Sequence, residues 1–136
     1  PLNALLGSWT IEATHPALPT TVVGGHTEFE WLEGERFLLQ RSSMDHPEFP
    51  DALSVFGAFE DGLAMHSFDS RGVHRIYEMI LRDGEWKLWR DSLDPFAQRF
   101  TGRFSEDGET ITGAWELAED GSSWKTDFEL TYTKLG

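Results

Sequence analysis

The chain has 136 residues, 39% hydrophobic and 13% aromatic, which suits one domain over residues 1–136 with a substantial core. Eleven Lys and Arg against 24 Asp and Glu leave a net charge of −13, which excludes the basic footprint that nucleic acid or an anionic membrane requires of a partner. There is no Cys, hence neither a disulfide framework nor a thiolate metal site, and no apolar run approaches the roughly 20 residues of a membrane span.

At the start, PLNALLGSW predicts one short helical turn around Leu2 to Leu6 and lacks the basic flank and long apolar run of a secretion signal, so a cytoplasmic location is expected. The segment HPALPTTVVGG reads as a Pro- and Gly-containing loop that could cover a barrel mouth. FEWLEGERFLLQRS follows as a hairpin about Glu33-Gly34-Glu35; its loop can hold two or three residues, so either Gln40 or Arg41 faces inward. DHPEFPD reads as a rigid surface turn shaped by two prolines. Beyond it, Asp-Gly recurs at 61–62, 83–84, 107–108 and 120–121, each time between alternating apolar and polar runs. Such a pair favours a type I′ turn, because Asp tolerates and Gly prefers positive φ. About ten short strands with turn signals every 8 to 12 residues predict an all-β meander. It closes most economically into an antiparallel up-and-down barrel with an internal cavity, since closure removes exposed edges.

Two-residue turns carry side-chain direction from strand to strand. About Asp61-Gly62, Phe59 is expected opposite Ala64, Gly57 opposite His66 and Val55 opposite Phe68. A turn at Ser70-Arg71 then sets Phe68 against Val73, His66 against Arg75 and Ala64 against Tyr77. Crossing Asp83-Gly84 pairs Leu81, Met79 and Tyr77 with Trp86, Leu88 and Arg90. Crossing Asp107-Gly108 pairs Phe104, Gly102, Phe100 and Gln98 with Ile111, Gly113, Trp115 and Leu117. Asp120-Gly121 adds Trp124, Thr126, Phe128 and Leu130. This apolar face is the inside, with Trp86, Phe100, Trp115, Phe128 and Leu130 in the core; the alternate face carries Lys87, Arg99, Arg103, Glu116 and Glu129. Ile76 and Ile80 fit poorly, because they fall on the outer face beside His74 and Glu78.

On this register Asp69, His74 and Glu78 point out, while His66, Arg75, Tyr77, Arg90 and Gln98 point in. Inward guanidiniums each cost several kcal/mol to desolvate unless compensated. An acid from the first strands (Glu12, Glu28 or Glu30), trapped water or an anionic ligand could supply that. Inward Gly57, Gly102 and Gly113 either leave room for a ligand or mark barrel bends. The expected ligand site is therefore His66, Arg75, Tyr77, Arg90 and Gln98, walled by Trp86, Phe100, Trp115, Thr126 and Phe128.

LLGSW, FEWLEGERFLLQRS, FDSRGVHRIYE and DFELTYT together resemble the bacterial DUF1579-type, calycin-like families, which are similar to lipocalins, fatty-acid-binding proteins and the haem barrel nitrobindin. The resemblance spans nearly the whole chain and implies a small-molecule-binding barrel without naming a reaction. Haem binding of the nitrobindin kind needs a late axial His, and none follows His74; Tyr132 is the one late residue able to ligate iron.

The function expected is binding of a small hydrophobic or aromatic molecule with an anionic or carbonyl end. An isomerase or cyclase is the alternative, with His66 as base and Tyr77 and Arg75 stabilising a developing enolate or phenolate. A haem barrel is a third. No cofactor is expected, and His15, His26, His46, His66 and His74 show neither HxxxH nor HxH spacing, so no dedicated metal site is expected either. A homodimer is left open.

Overall fold

Ten antiparallel strands close on themselves in the computed structural model, which describes residues 2–59 and 62–136. A 3-10 helix, Leu2–Leu5, precedes β1 (Gly7–His15), β2 (Leu18–Trp31), β3 (Phe37–Met44), β4 (Ala52–Phe59) and β5 (Gly62–Asp69). There follow β6 (His74–Arg82), β7 (Glu85–Arg90), β8 (Ala97–Phe104), β9 (Thr110–Ala118) and β10 (Lys125–Lys134). Each strand pairs with its sequence neighbours, and β10 returns to β1, so no edge is left open. The closed antiparallel arrangement expected from the turn spacing is observed. HPALPTTVVGG, expected as a loop, instead turns tightly at 16–17 and runs on as the start of β2, with an irregularity opposite Ala13 and His15.

The helix plugs one end. Leu5 is fully buried, its carbonyl accepts the Trp9 indole N–H at 2.8 Å, and Asn3 Oδ1 accepts that of Trp31 at 3.1 Å. Above this plug Phe29, Leu38, Phe56, Met79, Trp86, Phe100, Ile111 and Tyr132 form one continuous core.

The later half keeps the expected register. Asp83 and Gly84 both take positive φ, 53° and 73°, as a type I′ turn demands, and Leu81 meets Trp86. Across the next strand Trp86 meets Gly102 and Leu88 meets Phe100; then Phe100 meets Trp115 and Gly102 meets Gly113. The alternate side is solvent-facing, with Arg99 paired to Glu116 and Arg103 to Glu85.

Three registers differ, two of them for a local reason that the structure shows. The β5–β6 loop contains three residues, Ser70, Arg71 and Gly72: Asp69 N–H donates to Val73 O at 3.0 Å, Gly72 N–H donates to Asp69 O at 2.9 Å, and Gly72 sits at φ 86°. A turn followed by a left-handed Gly is the usual three-residue hairpin, and its extra residue reverses side-chain parity. His66 therefore meets Ile76, and Ser67 meets Arg75. Val55 and Phe68 still share a side with His66 and Gly57, but that side is the outside; Phe56 and Met65 turn in. The pairing Phe59–Gly62 is two residues from the one expected, and Asp61 of the expected turn lies outside the described residues. The third difference is a bulge between Thr126 and Phe128: Phe128 meets Trp115 as an inner residue, while Thr126 meets Glu116 and turns out.

The glycines do not hold open space. A Cβ on Gly102 would stand 2.9 Å from the Phe100 ring, and one on Gly113 2.6 Å from the Thr101 carbonyl oxygen and 2.8 Å from the same ring. Gly57, on the outer side, lies beneath Phe37, whose ring a Cβ there would meet at 2.6 Å. Their role is close approach of an aromatic ring to the sheet.

Candidate functional site

At the end opposite the plug, polar side chains replace the apolar core. Alternation along β6 sends Arg75, Tyr77, Met79 and Leu81 inward in that order from rim to centre, and β7 and β8 bring Arg90 beside Gln98. Tyr77 is 5% exposed and its hydroxyl donates to Gln98 Oε1 at 2.8 Å; Arg75 donates to the same oxygen at 3.3 Å. The Tyr77 ring packs edge-on to Trp115 at 5.4 Å, and Trp115 stacks tilted on Phe100 at 5.3 Å. Burial pushes the Tyr77 phenol above its ordinary value, with Arg75 pulling the other way, so it serves as a neutral hydrogen-bond donor.

Arg90 is turned to the rim, where it donates to the Phe96 carbonyl at 2.8 Å and the Asp94 carbonyl at 3.0 Å. It therefore pins the loop at 91–96, and that loop lays the Phe96 ring 5.6 Å from the Arg75 guanidinium. Phe49, from the loop at 45–51, lies 5.0 Å from Phe128 and brings His46 with it. His15 packs edge-on to Phe128 at 5.5 Å, with its Nε2 3.8 Å from Asp127; burial raises the Asp127 carboxyl above the ordinary range. Phe49 and Phe96 were missed as site residues. The available signal was an aromatic set within a proline-bearing loop, in PEFPD and DPF.

Arg75, Tyr77, Arg90, Gln98, Trp115, Phe100 and Phe128 are thus brought together on the inner side. Trp86 lies deeper in the core, 2% exposed, its indole N–H without a partner among the described residues, and Tyr132 packs 6.1 Å from it. His66 and Thr126 are corrections: the three-residue loop puts His66 on the outer wall and the bulge turns Thr126 out, so His66 does not stand with Arg75 and Tyr77 in one chamber. Asp69 is also corrected, since it shares the side of Met65 and Ser67 at the rim. Its carboxylate is held below the ordinary range, chiefly by the Arg71 guanidinium at 2.7 Å and also by the Arg71 and Val73 N–H groups. His74 and Glu78 are exposed as expected.

None of the three proposed acids compensates the inner arginines. Glu12, Glu28 and Glu30 are exposed, and Glu30 pairs with Arg41. Gln40 is the inward member of its pair and donates to Thr27 Oγ1 at 3.1 Å. Among the described residues no carboxylate oxygen lies within 4.0 Å of Arg75 or Arg90. A concavity of about 570 Å³ lined by Arg41, Asp51, Leu53, Phe68 and Asp69 adjoins the rim; there Arg41 pairs with Glu30 and Asp69 with Arg71.

These features define a closed ten-stranded antiparallel barrel with one plugged end and one end lined by polar and aromatic side chains. Among solved structures, the crystal structure of Rv2717c from M. tuberculosis is similar, with a TM-score of 0.70 at 14% identity over 99% of this chain and 95% of that one. A redesigned beta barrel, mFAP0, bound to DFHBI, has a TM-score of 0.45 at 11% identity over 96% of this chain and 99% of that one. No protein-family model matches the chain, and no curated protein matches it. The similarity to Rv2717c is one of fold. No helix among the described residues is long and apolar enough to cross a membrane.

Proposed function

We propose that the barrel binds a small apolar or aromatic molecule bearing an anionic or carbonyl group, which docks at the Arg75, Tyr77 and Gln98 end. The observation that carries this reading is a half-buried Arg75 guanidinium with one long bond to a neutral amide and no carboxylate within ion-pair distance among the described residues. A half-buried guanidinium without a counter-ion gains from a charge-assisted acceptor, and its planar fork matches carboxylate or sulfonate. Gln98 Oε1 is occupied by Tyr77 and Arg75, so its amide N–H groups are what it can offer a ligand. Trp115, Phe128, Phe49 and Phe96 supply the aromatic walls. Binding is preferred to isomerisation because the histidine invoked as the base is on the outer wall.

An aromatic sulfonate dye tests the proposal. It should bind the wild type, and Arg75→Met should weaken it by about 1–3 kcal/mol, the worth of a charged hydrogen bond, without unfolding the chain. Arg103→Met, at the outer-wall ion pair with Glu85, is the control. Equal effects of the two substitutions would sink the reading.

A further inference from the structure

We propose that His66 and His74 form a two-imidazole site for a late first-row divalent cation, Cu2+, Ni2+ or Zn2+, on the outer wall of β5 and β6. The reversed parity of β5 brings both side chains to that wall: Phe68 meets His74 across the ladder, and His66, two residues along, meets Ile76. His66 Nδ1 and His74 Nε2 stand 3.3 Å apart. Two nitrogens that each bind one ion at about 2.0–2.1 Å, at angles between square and tetrahedral, stand about 2.9–3.4 Å apart. The separation falls within that range, and ring centroids 5.5 Å apart place both nitrogens between the rings.

Neighbouring aromatics hold both rings. His66 packs on Phe59 at 4.4 Å, and His74 lies flat on Phe68 at 4.5 Å with 4° between the planes. The rotamer freedom that an exposed His loses on binding a metal is therefore already reduced. In the metal-free chain one ring donates N–H···N to the other. Binding replaces that shared proton with the ion; the proton moves to the outer nitrogen of its own ring, leaving His66 protonated at Nε2 and His74 at Nδ1, with no net proton released. Among the described residues no third His, Cys, Asp or Glu joins the pair, so the two imidazoles are the ligands that the described chain supplies. The net charge of −13 raises the local concentration of cations. The eight-residue spacing of the pair resembles no metal motif, because the chelate is made across a hairpin.

The test is titration of the EDTA-treated full chain with Zn2+, followed by calorimetry and imidazole 15N resonances. One Zn2+ per chain should move the His66 and His74 resonances before those of His15, His26 and His46. His66→Ala and His74→Ala should each weaken binding at least tenfold, His26→Ala should leave it unchanged, and Cu2+ should bind more tightly than Zn2+. Unchanged affinity in either pair variant, first shifts at another histidine, or no imidazole response would each overturn the proposal. The wild-type resonances decide it even where a variant fails to fold.

Discussion

Gln98→Leu removes the one acceptor shared by Tyr77 and Arg75. The Tyr77 hydroxyl is buried with its ring, so losing that acceptor leaves a donor unsatisfied, at about 1–3 kcal/mol. Arg75 is only half-buried and its bond is long, so water can replace much of what it loses. Tyr77→Phe should cost less, about 0.5–1.5 kcal/mol, because Gln98 Oε1 keeps Arg75 as donor. The double variant replaces both partners by apolar groups and should be little worse than Tyr77→Phe alone, giving a coupling nearly as large as the Gln98→Leu cost, about 1–3 kcal/mol. Urea unfolding followed by circular dichroism measures all four corners of the cycle; each kcal/mol should also move Tm by about 3–5 °C for a chain of this size. Additivity within about 0.3 kcal/mol would refute the reasoning, since it would mean that water, rather than Gln98, satisfies the Tyr77 hydroxyl.

Three further predictions concern the barrel itself. Gly113→Ala should destabilise more than Gly102→Ala, because its Cβ would meet a backbone carbonyl at 2.6 Å where that of Gly102 meets only side chains; each should cost about 1–3 kcal/mol, read from thermal unfolding, and equal values would overturn the argument. The Asp120 carboxyl accepts the Ser123 and Ser122 N–H groups and is lowered to about 2. Its folded value lies below its unfolded one, so its contribution to stability is complete above pH 4 or so and is lost as pH falls towards about 2. A carboxyl 13C titration checks this. Asp127 has the opposite sign: burial raises it, stability gains as pH falls through its folded value, and Asp127→Asn should be neutral or stabilising at pH 7 by urea unfolding.

The ten strands, the closed barrel and the inner positions of Arg75, Tyr77, Gln98, Phe100 and Trp115 were legible in the sequence. Asp83-Gly84 takes the turn its chemistry prefers, and alternation then carries direction through β6 to β9. Even the misfit was informative: Ile76 is 52% exposed, so β6 was correctly oriented and the hairpin before it was not. One loop length decided that hairpin. SRG can turn in two residues or three, and Asp69 settles the longer form by accepting from Arg71 and Val73, which moves His66 to the outside and gives the Phe56 and Met65 side the core. The bulge that turns Thr126 out has the same character, a single residue with no local signature. Tertiary structure alone brings Phe49 onto Phe128, Phe96 over Arg75 and the Phe100 ring over two glycines. The two loop contacts join segments far apart in the chain, and side-chain period within a strand carries no information about what a loop will reach or how a ring will lie.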